Sequence, residues 1–399
     1  MSALSAYRTL LRIVGPTYVV VAFLGRVPLA MSQMGTLLLV SDATGRYALG
    51  GAAAGSLAVA NAVGAPFFGT LADRVGQRAV VLVQSVLGGV GLVVLVLVTH
   101  RTGSAPAILA SSALAGLATP QIGPLARVRW APVLRGREDR ARLVNTAFSY
   151  EGAADEISFV LGPALVGLLA VLVSPGEALV VAGVVLMGFG SWFALHPTAR
   201  LTEPTEHESS STVPVVTGAL VVLAVAQLFI GMLFGATQTG STVLATDEGR
   251  AGVAGLIHAT LGIGSATAGL AVAALPARIS YELRMVVSAV LLFALALPLL
   301  LVDSIGSLVA VIAVLGFAVA PYMIGNFAMA GRDVHPSRVG MAMTLLAGAT
   351  GTGYALGSSL AGRLADAGGY TPAFGVTVAA TGAAAGLSLV VWLSSRSRA

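Results

Sequence analysis

The sequence predicts an all-α integral membrane protein of twelve spanning helices, organised as two similar halves of six. Three observations predict it. The chain of 399 residues is 56% hydrophobic and only 10% charged, whereas an ordinary soluble domain carries about 25% charged residues. So few charges could not cover a water-facing surface, and the mean hydropathy of +0.91 agrees. Apolar runs of membrane-spanning length recur along the whole chain, and glycine patterns in its first half return in its second.

A spanning helix needs about 20 mostly apolar residues. Such runs fall at 17–40, 49–70, 79–99, 105–126, 144–173, 178–195, 215–244, 252–275, 285–302, 306–328, 340–363 and 372–393. The first follows Arg8 and Arg12 as a signal peptide would, but it is too long for one and contains Arg26, so it reads as an uncleaved span. The fourth carries Pro120 and Pro124, and the tenth Pro321, where a helix can flex. Spans five and six are parted only by Ser174-Pro175-Gly176-Glu177, and spans nine and ten only by Asp303 and Ser304. Between spans six and seven, residues 196–213 hold Pro197, Pro204, Glu203, Glu206, Glu208 and Ser209-Ser210-Ser211. That stretch reads as a flexible linker. It divides the chain into bundles at 1–195 and 214–399.

Two echoes support the division. Ala54-Gly55, Gly64 and Gly69 return as Ala254-Gly255, Gly264 and Gly269. Gly162, Leu165, Gly167, Leu169 and Ala170 return as Gly357, Leu360, Gly362, Leu364 and Ala365. Each echo lies in the equivalent span of its half, and long internal periods imply repeated structural units. The abundant Gly and Ala suit close helix packing in lipid.

All 22 basic residues are arginine. With the N-terminus inside, only Arg46, Arg101, Arg250 and Arg363 fall outside, Arg26 lies within a span, and the rest are cytoplasmic. The positive-inside rule then places both termini in the cytoplasm of a cell membrane. It also explains the pI near 10.0 as topology, without nucleic acid as a partner. The arginines of 127–142 read as an inside anchor. The absence of cysteine excludes disulfides, thiolate metal sites and cysteine nucleophiles. The five histidines, at 100, 196, 207, 258 and 335, are scattered, so no metal or catalytic site assembles locally and no cofactor is implied. An enzyme is not indicated. A sensor would be expected to carry a soluble domain, which the short loops do not provide.

A charged side chain near the bilayer centre costs about 2.5–3.5 kcal/mol or more, so it needs a partner or a task. Glu151 and Asp155 of span five lie four apart on one helix face, with Glu156 about 100° further round. Arg26 enters span one to a similar depth, and the sequence pairs it with Asp155 or Glu156. Three carboxylates against one nearby cation leave at least one poorly compensated. Burial and like-charge crowding favour the protonated form of such a group, the profile of a proton-binding site. A structural clamp that never titrates is the alternative. The matching positions of the second half, Leu346, Thr350 and Gly351, carry no proton, so any coupling belongs to the first half.

Between spans two and three stands Gly69-Thr70-Leu71-Ala72-Asp73-Arg74-Val75-Gly76-Gln77-Arg78. It resembles the signature loop of the major facilitator superfamily, Gly-x-Leu-Ala-Asp-Arg-x-Gly-Arg-Lys, departing at Gln77 and with Arg78 where Lys is usual. The resemblance implies a secondary transporter, monomeric, with two six-helix bundles rocking around a central cavity. It implies that Asp73, with Gly69, Arg74, Gly76 and Arg78, forms a conformational latch against the end of span eleven. Gly69 and Gly76 would there allow a close approach and a turn. In the family, spans one, four, seven and ten line the cavity, which nominates Gln33, Gln121, Gln227, Gln238, Tyr322 and Asn326 as substrate contacts. Hydrogen bonding between helices is the other reading of those residues, and His258 reads as packing. Gly162-Pro163-x-x-x-Gly167 resembles the Gly-Pro motif of proton-driven exporters, although the arginine those exporters carry early in span four is missing here. The expectation is proton-coupled efflux of a small organic molecule. Uptake of a sugar or small metabolite by a symporter or facilitator is the alternative.

Overall fold

The computed structural model describes residues 3–202, 217–272, 279–333 and 339–396. Among them the regular structure is helical throughout. The helices are α1 (Ala3–Thr44), α2 (Tyr47–Val75), α3 (Gln77–Thr102), α4 (Ala105–Ala118), α5 (Ile122–Val133), α6 (Arg140–Leu172), α7 (Pro175–Val185) and α8 (Ser191–Leu195). After the linker come α9 (Gly218–Asp247), α10 (Ala254–Val272), α11 (Tyr281–Ala296), α12 (Ile305–Asp333), α13 (Val339–Gly368) and α14 (Tyr370–Arg396). Most of the linker, with Glu203, Pro204, Glu206, Glu208 and Ser209-Ser210-Ser211, lies outside the described residues. So do Arg278, Arg338 and Arg398.

Eleven segments among the described residues are long and apolar enough to cross a membrane. α4 and α5 together form one of them, as do α7 and α8. The chain is thus an all-α, multi-pass membrane protein. α13 is a further helix of 30 residues, rich in small residues. It is wedged between α2 and α9, with backbone-close contacts on both. A helix so placed faces protein on two sides and needs less hydrophobicity than one ringed by lipid.

Several boundaries follow from local chemistry. α1 bends at Gly15, whose φ of 77° is open to glycine and costly for other residues; Pro16 follows it. Ser174 caps α7 through the Glu177 amide, and Thr217 caps α9 through that of Leu220. Two runs differ from the sequence-based expectation. Span four, expected over 105–126, is broken at 119–121 and then continues to Val133. Pro120 has no amide to donate and pushes Thr119 out of the helical region, to φ −75° and ψ 119°. The first half also continues past 195, because a short helical turn at Pro197–Thr202 buries Thr198 and Ala199.

Glycines set the crossings. Gly55 of α2 lies where an added Cβ would stand 3.0 Å from the Cα of Ala355 in α13. Its echo, Gly255 of α10, meets Pro163 and Gly167 of α6 just as closely. Gly362 of α13, the echo of Gly167, packs on Tyr47 and Ala48 of α2. The two sequence echoes therefore meet each other at two matching crossings, α2 with α13 and α6 with α10. Within the second half, Gly231 and Gly235 of α9 meet the backbone of Thr350, Tyr354 and Ser358 in α13, and Gly353 and Gly357 of α13 meet that of Leu228 and Met232 in α9.

Candidate functional site

The most charged part of the interior lies where α1, α5 and α6 meet. Glu151 and Asp155 are four apart on α6, and Arg127 and Trp130 are three apart on α5, so each pair shares a helix face. The two faces meet in register. Arg127 Nη2 donates to Asp155 Oδ2 at 2.7 Å, and Trp130 Nε1 donates to Glu151 Oε1 at 2.8 Å. From α1, Arg26 reaches both carboxylates: Nη2 to Glu151 Oε2 at 2.5 Å and Nη1 to Asp155 Oδ1 at 2.9 Å. Its Nε donates to the Ala22 carbonyl, four residues back on its own helix. Gly123 makes room for this arrangement, since a Cβ there would stand 2.6 Å from Asp155 Oδ1.

Arg26 therefore pairs with Asp155, as the sequence suggested, and more tightly with Glu151. The side chain of Glu156 lies outside the described residues. Among described side chains two cations balance two carboxylates, so no carboxylate of the pair is left uncompensated. Sequence reasoning missed the second cation because it assigned Arg127 to the inside anchor. The pair is also uneven in access. Glu151 is sealed, whereas Asp155 and Arg127 expose 25% and 30% of their side chains.

Two residues beyond Arg127 on α5, Arg129 is fully buried. It donates to Gln77 Oε1 at 3.0 Å, to the Phe193 carbonyl at 2.9 Å and to Thr198 Oγ1 at 3.1 Å, and it lies 3.6 Å over the Phe193 ring. No carboxylate partners it among the described residues, and its Nη2 has no hydrogen-bond acceptor. The last carbonyls of α8 carry the negative end of a helix dipole and supply part of the compensation. His196, just beyond α8, has its pKa lowered by burial and by the Arg129 charge.

The break between α4 and α5 leaves backbone carbonyls without helical donors. Asn61 of α2 serves them: Nδ2 donates to the Thr119 carbonyl at 2.7 Å and to that of Gly116 at 3.0 Å. Its Oδ1 accepts from Gln121 Nε2 at 2.9 Å. A membrane helix tolerates a break when neighbours re-satisfy its backbone in this way.

The other nominated residues lie apart from the charged network. Gln238 accepts from the Tyr354 hydroxyl at 2.7 Å. Asn326 lies 3.5 Å from Gln227, and Tyr322 lies 3.5 Å from Ser388. Gln227, Tyr322 and Asn326 are all fully buried. Gln227 Nε2 and Asn326 Oδ1 have no partner. Gln33 is partly buried on α1. His258 is buried beside Phe234. In the loop between α2 and α3, Gly76 turns the chain with φ 89°, and Arg74 and Arg78 are exposed. No atom lies within 4 Å of where a Cβ on Gly69 would stand, so no close approach occurs there. The side chain of Asp73 lies outside the described residues.

Comparison with known proteins bears on this architecture. The sequence profile of the Major Facilitator Superfamily matches residues 20–302 and 223–399. No curated protein matches the chain in sequence. A mutant form of the nucleoside transporter NupG has the same fold, with a TM-score of 0.72 at 18% identity, over 95% of this chain and 99% of that one. A POT family transporter in complex with a thioalcohol-conjugated peptide gives 0.69 at 13% identity, over 96% of each chain. With its profile match spanning nearly the whole length, the chain belongs to the major facilitator superfamily of secondary transporters.

Proposed function

We propose that the protein moves a small organic molecule across the cell membrane by alternating access, coupled to protons through Asp155. The single observation that carries the coupling is the contrast within the α1–α5–α6 network: Glu151 is sealed between Arg26 and Trp130, while Asp155 is reachable and its second cation, Arg127, is reachable with it. Glu151 then serves as the fixed anchor and Asp155 as the group that exchanges a proton when Arg127 moves away. Twelve spans in two bundles, 1–195 and 214–399 with both termini cytoplasmic, complete the reading, with α13 as the eleventh span. The paired crossings of the sequence echoes support the two bundles. Close contacts between the halves join residues 47–62 to 348–366 and 160–171 to 252–262, the ends that the arginine count places outside. The conformation is then closed outside and open toward the cytoplasm, and Asp73 is assigned to the latch of the opposite state.

Efflux is the direction supported by the resemblance of Gly162-Pro163 to the exporter motif. One observation favours uptake as a second reading. Gly162 packs on Ala30 and Met31, and Pro163 and Gly167 pack on Gly255, so helix packing alone accounts for that motif. Inverted vesicles carrying an imposed pH gradient, with a panel of nucleosides, short peptides, sugars and carboxylic acids, test both readings. Accumulation on energising supports export, and solute-driven collapse of the gradient in the opposite sense supports uptake. If Asp155→Asn transports with its pH dependence intact, the coupling role of Asp155 is lost.

A further inference from the structure

The two accessible members of the charged network are not equally committed. Asp155 divides its oxygens between two cations, Oδ1 to Arg26 and Oδ2 to Arg127. Among the described residues Arg127 has a single ion-pair partner, Asp155, while its guanidinium carries five N–H donors. A ligand cation that captured Asp155 would strand Arg127 without any anion. A ligand anion that captured Arg127 would leave Asp155 still held by Arg26. The second exchange conserves more of the ion pairing, and both groups are only partly exposed, so an unpaired charge there is unfavourable.

We propose that Arg127 is the docking group for an anionic part of the cargo, a carboxylate or similar oxyanion of a small solute. This rests on the transporter reading above and adds the cargo's chemical class to it. The planar guanidinium suits bidentate pairing with a carboxylate. Arg127 also sits on the free-standing side of the α4–α5 break, two turns beyond Gln121, so its position is set by α5 and by the Asn61–Gln121 clasp rather than by a continuous helix. The sealed Arg26–Glu151 pair holds Asp155 in place while Arg127 changes partner. Trp130, bonded to Glu151 in the same network, reports on the exchange by its fluorescence.

The test uses the full-length protein in neutral maltoside micelles, titrated with acetate and benzoate, with benzamide as the uncharged counterpart. Tryptophan fluorescence and thermal melting are read together. Wild type should respond saturably to at least one carboxylate and not to benzamide. Arg127→Gln should weaken that response by about tenfold or more, the usual loss when a charge-assisted pair is removed. Asp155→Asn should bind the carboxylate several-fold more tightly, because it no longer competes with a full charge for Arg127. Unchanged affinity in Arg127→Gln, or no carboxylate response in either wild type or Asp155→Asn, overturns the proposal. A response seen only when phosphatidylglycerol is added assigns the anion to a lipid headgroup and overturns it as well. The pH-gradient assay separates the two levels: gradient-driven flux without carboxylate binding removes the anion site alone, and carboxylate binding without such flux removes the transport coupling alone.

Discussion

Arg26 and Glu151 meet at 2.5 Å across the contact of α1 with α6 while exposing 4% and 0% of their side chains. Removing one member of such a pair leaves a buried charge without its counter-ion, which costs about 3–5 kcal/mol. Arg26→Gln strands the sealed Glu151 and should therefore lower the melting temperature more than any other substitution in the network; Glu151→Gln, which leaves Arg26 paired with Asp155, should cost less, and Asp155→Asn least. The double change Arg26→Gln with Glu151→Gln should recover part of the loss. Melting curves of wild type, the three single variants and the double variant in detergent decide it, and a strictly additive double mutant would show that the pair is not coupled.

Asn61 holds the broken span together by serving two carbonyls and the Gln121 amide at once. Asn61→Ala should cost about 1–3 kcal/mol, the desolvation penalty of polar groups left unpaired. Gln121→Ala removes only the outer bond and should cost less. Hydrogen exchange at the α4–α5 junction should rise in the first variant, and an unchanged exchange rate there would count against the clasp.

Gln77 stands where the superfamily pattern has arginine, and its Oε1 accepts from the buried Arg129 at 3.0 Å. Restoring the pattern by Gln77→Arg would bring two cations to about 4 Å, a repulsion of roughly 4 kcal/mol at an effective dielectric of 20. Low expression or a strongly lowered melting temperature is expected. Adding Arg129→Gln should rescue it, and Gln77→Glu alone should be tolerated. If Gln77→Arg folds as well as wild type, the explanation of this departure from the pattern fails.

The chain contains no cysteine, so an engineered pair is free of background. At the crossing of α2 with α13 the Tyr47 and Ala48 amides donate to the Asp366 carboxylate at 2.9 and 3.1 Å. Ala48→Cys with Asp366→Cys should cross-link on mild oxidation and arrest transport in the externally closed state, with activity returning on reduction. Full transport by the oxidised protein would mean that this crossing does not open during the cycle.

Much of the fold could be read from the sequence because lipid imposes a single length and apolarity on a span. Eleven of the expected segments meet that rule among the described residues. α13, expected as the eleventh span, is a helix of 30 residues packed between α2 and α9. Arg26 and the span-five carboxylates were legible as a cluster, since charges in an apolar run stand out and their depth follows from the helical rise. Arg127 was not. Span four was expected to end at 126, just before Arg127, with Pro120 and Pro124 as points of flexure; Pro124 sits in the first turn of α5, where its missing amide would have had no helical partner anyway. The helix therefore runs on and carries Arg127 and Trp130 inward. Which residue of α5 faces which residue of α6 is a matter of register between distant segments, and no local pattern encodes it.

The crossings of α2 with α13 and of α6 with α10 are made largely by glycines, alanines and backbone atoms. Side chains that interlock must leave and re-enter rotamer wells when two helices tilt past each other, and each such step adds to an activation barrier. Surfaces of bare backbone have no rotamers to reset. These two contacts can thus act as low-friction bearings, and larger side chains placed in them should slow the turnover cycle even where they leave the resting structure intact.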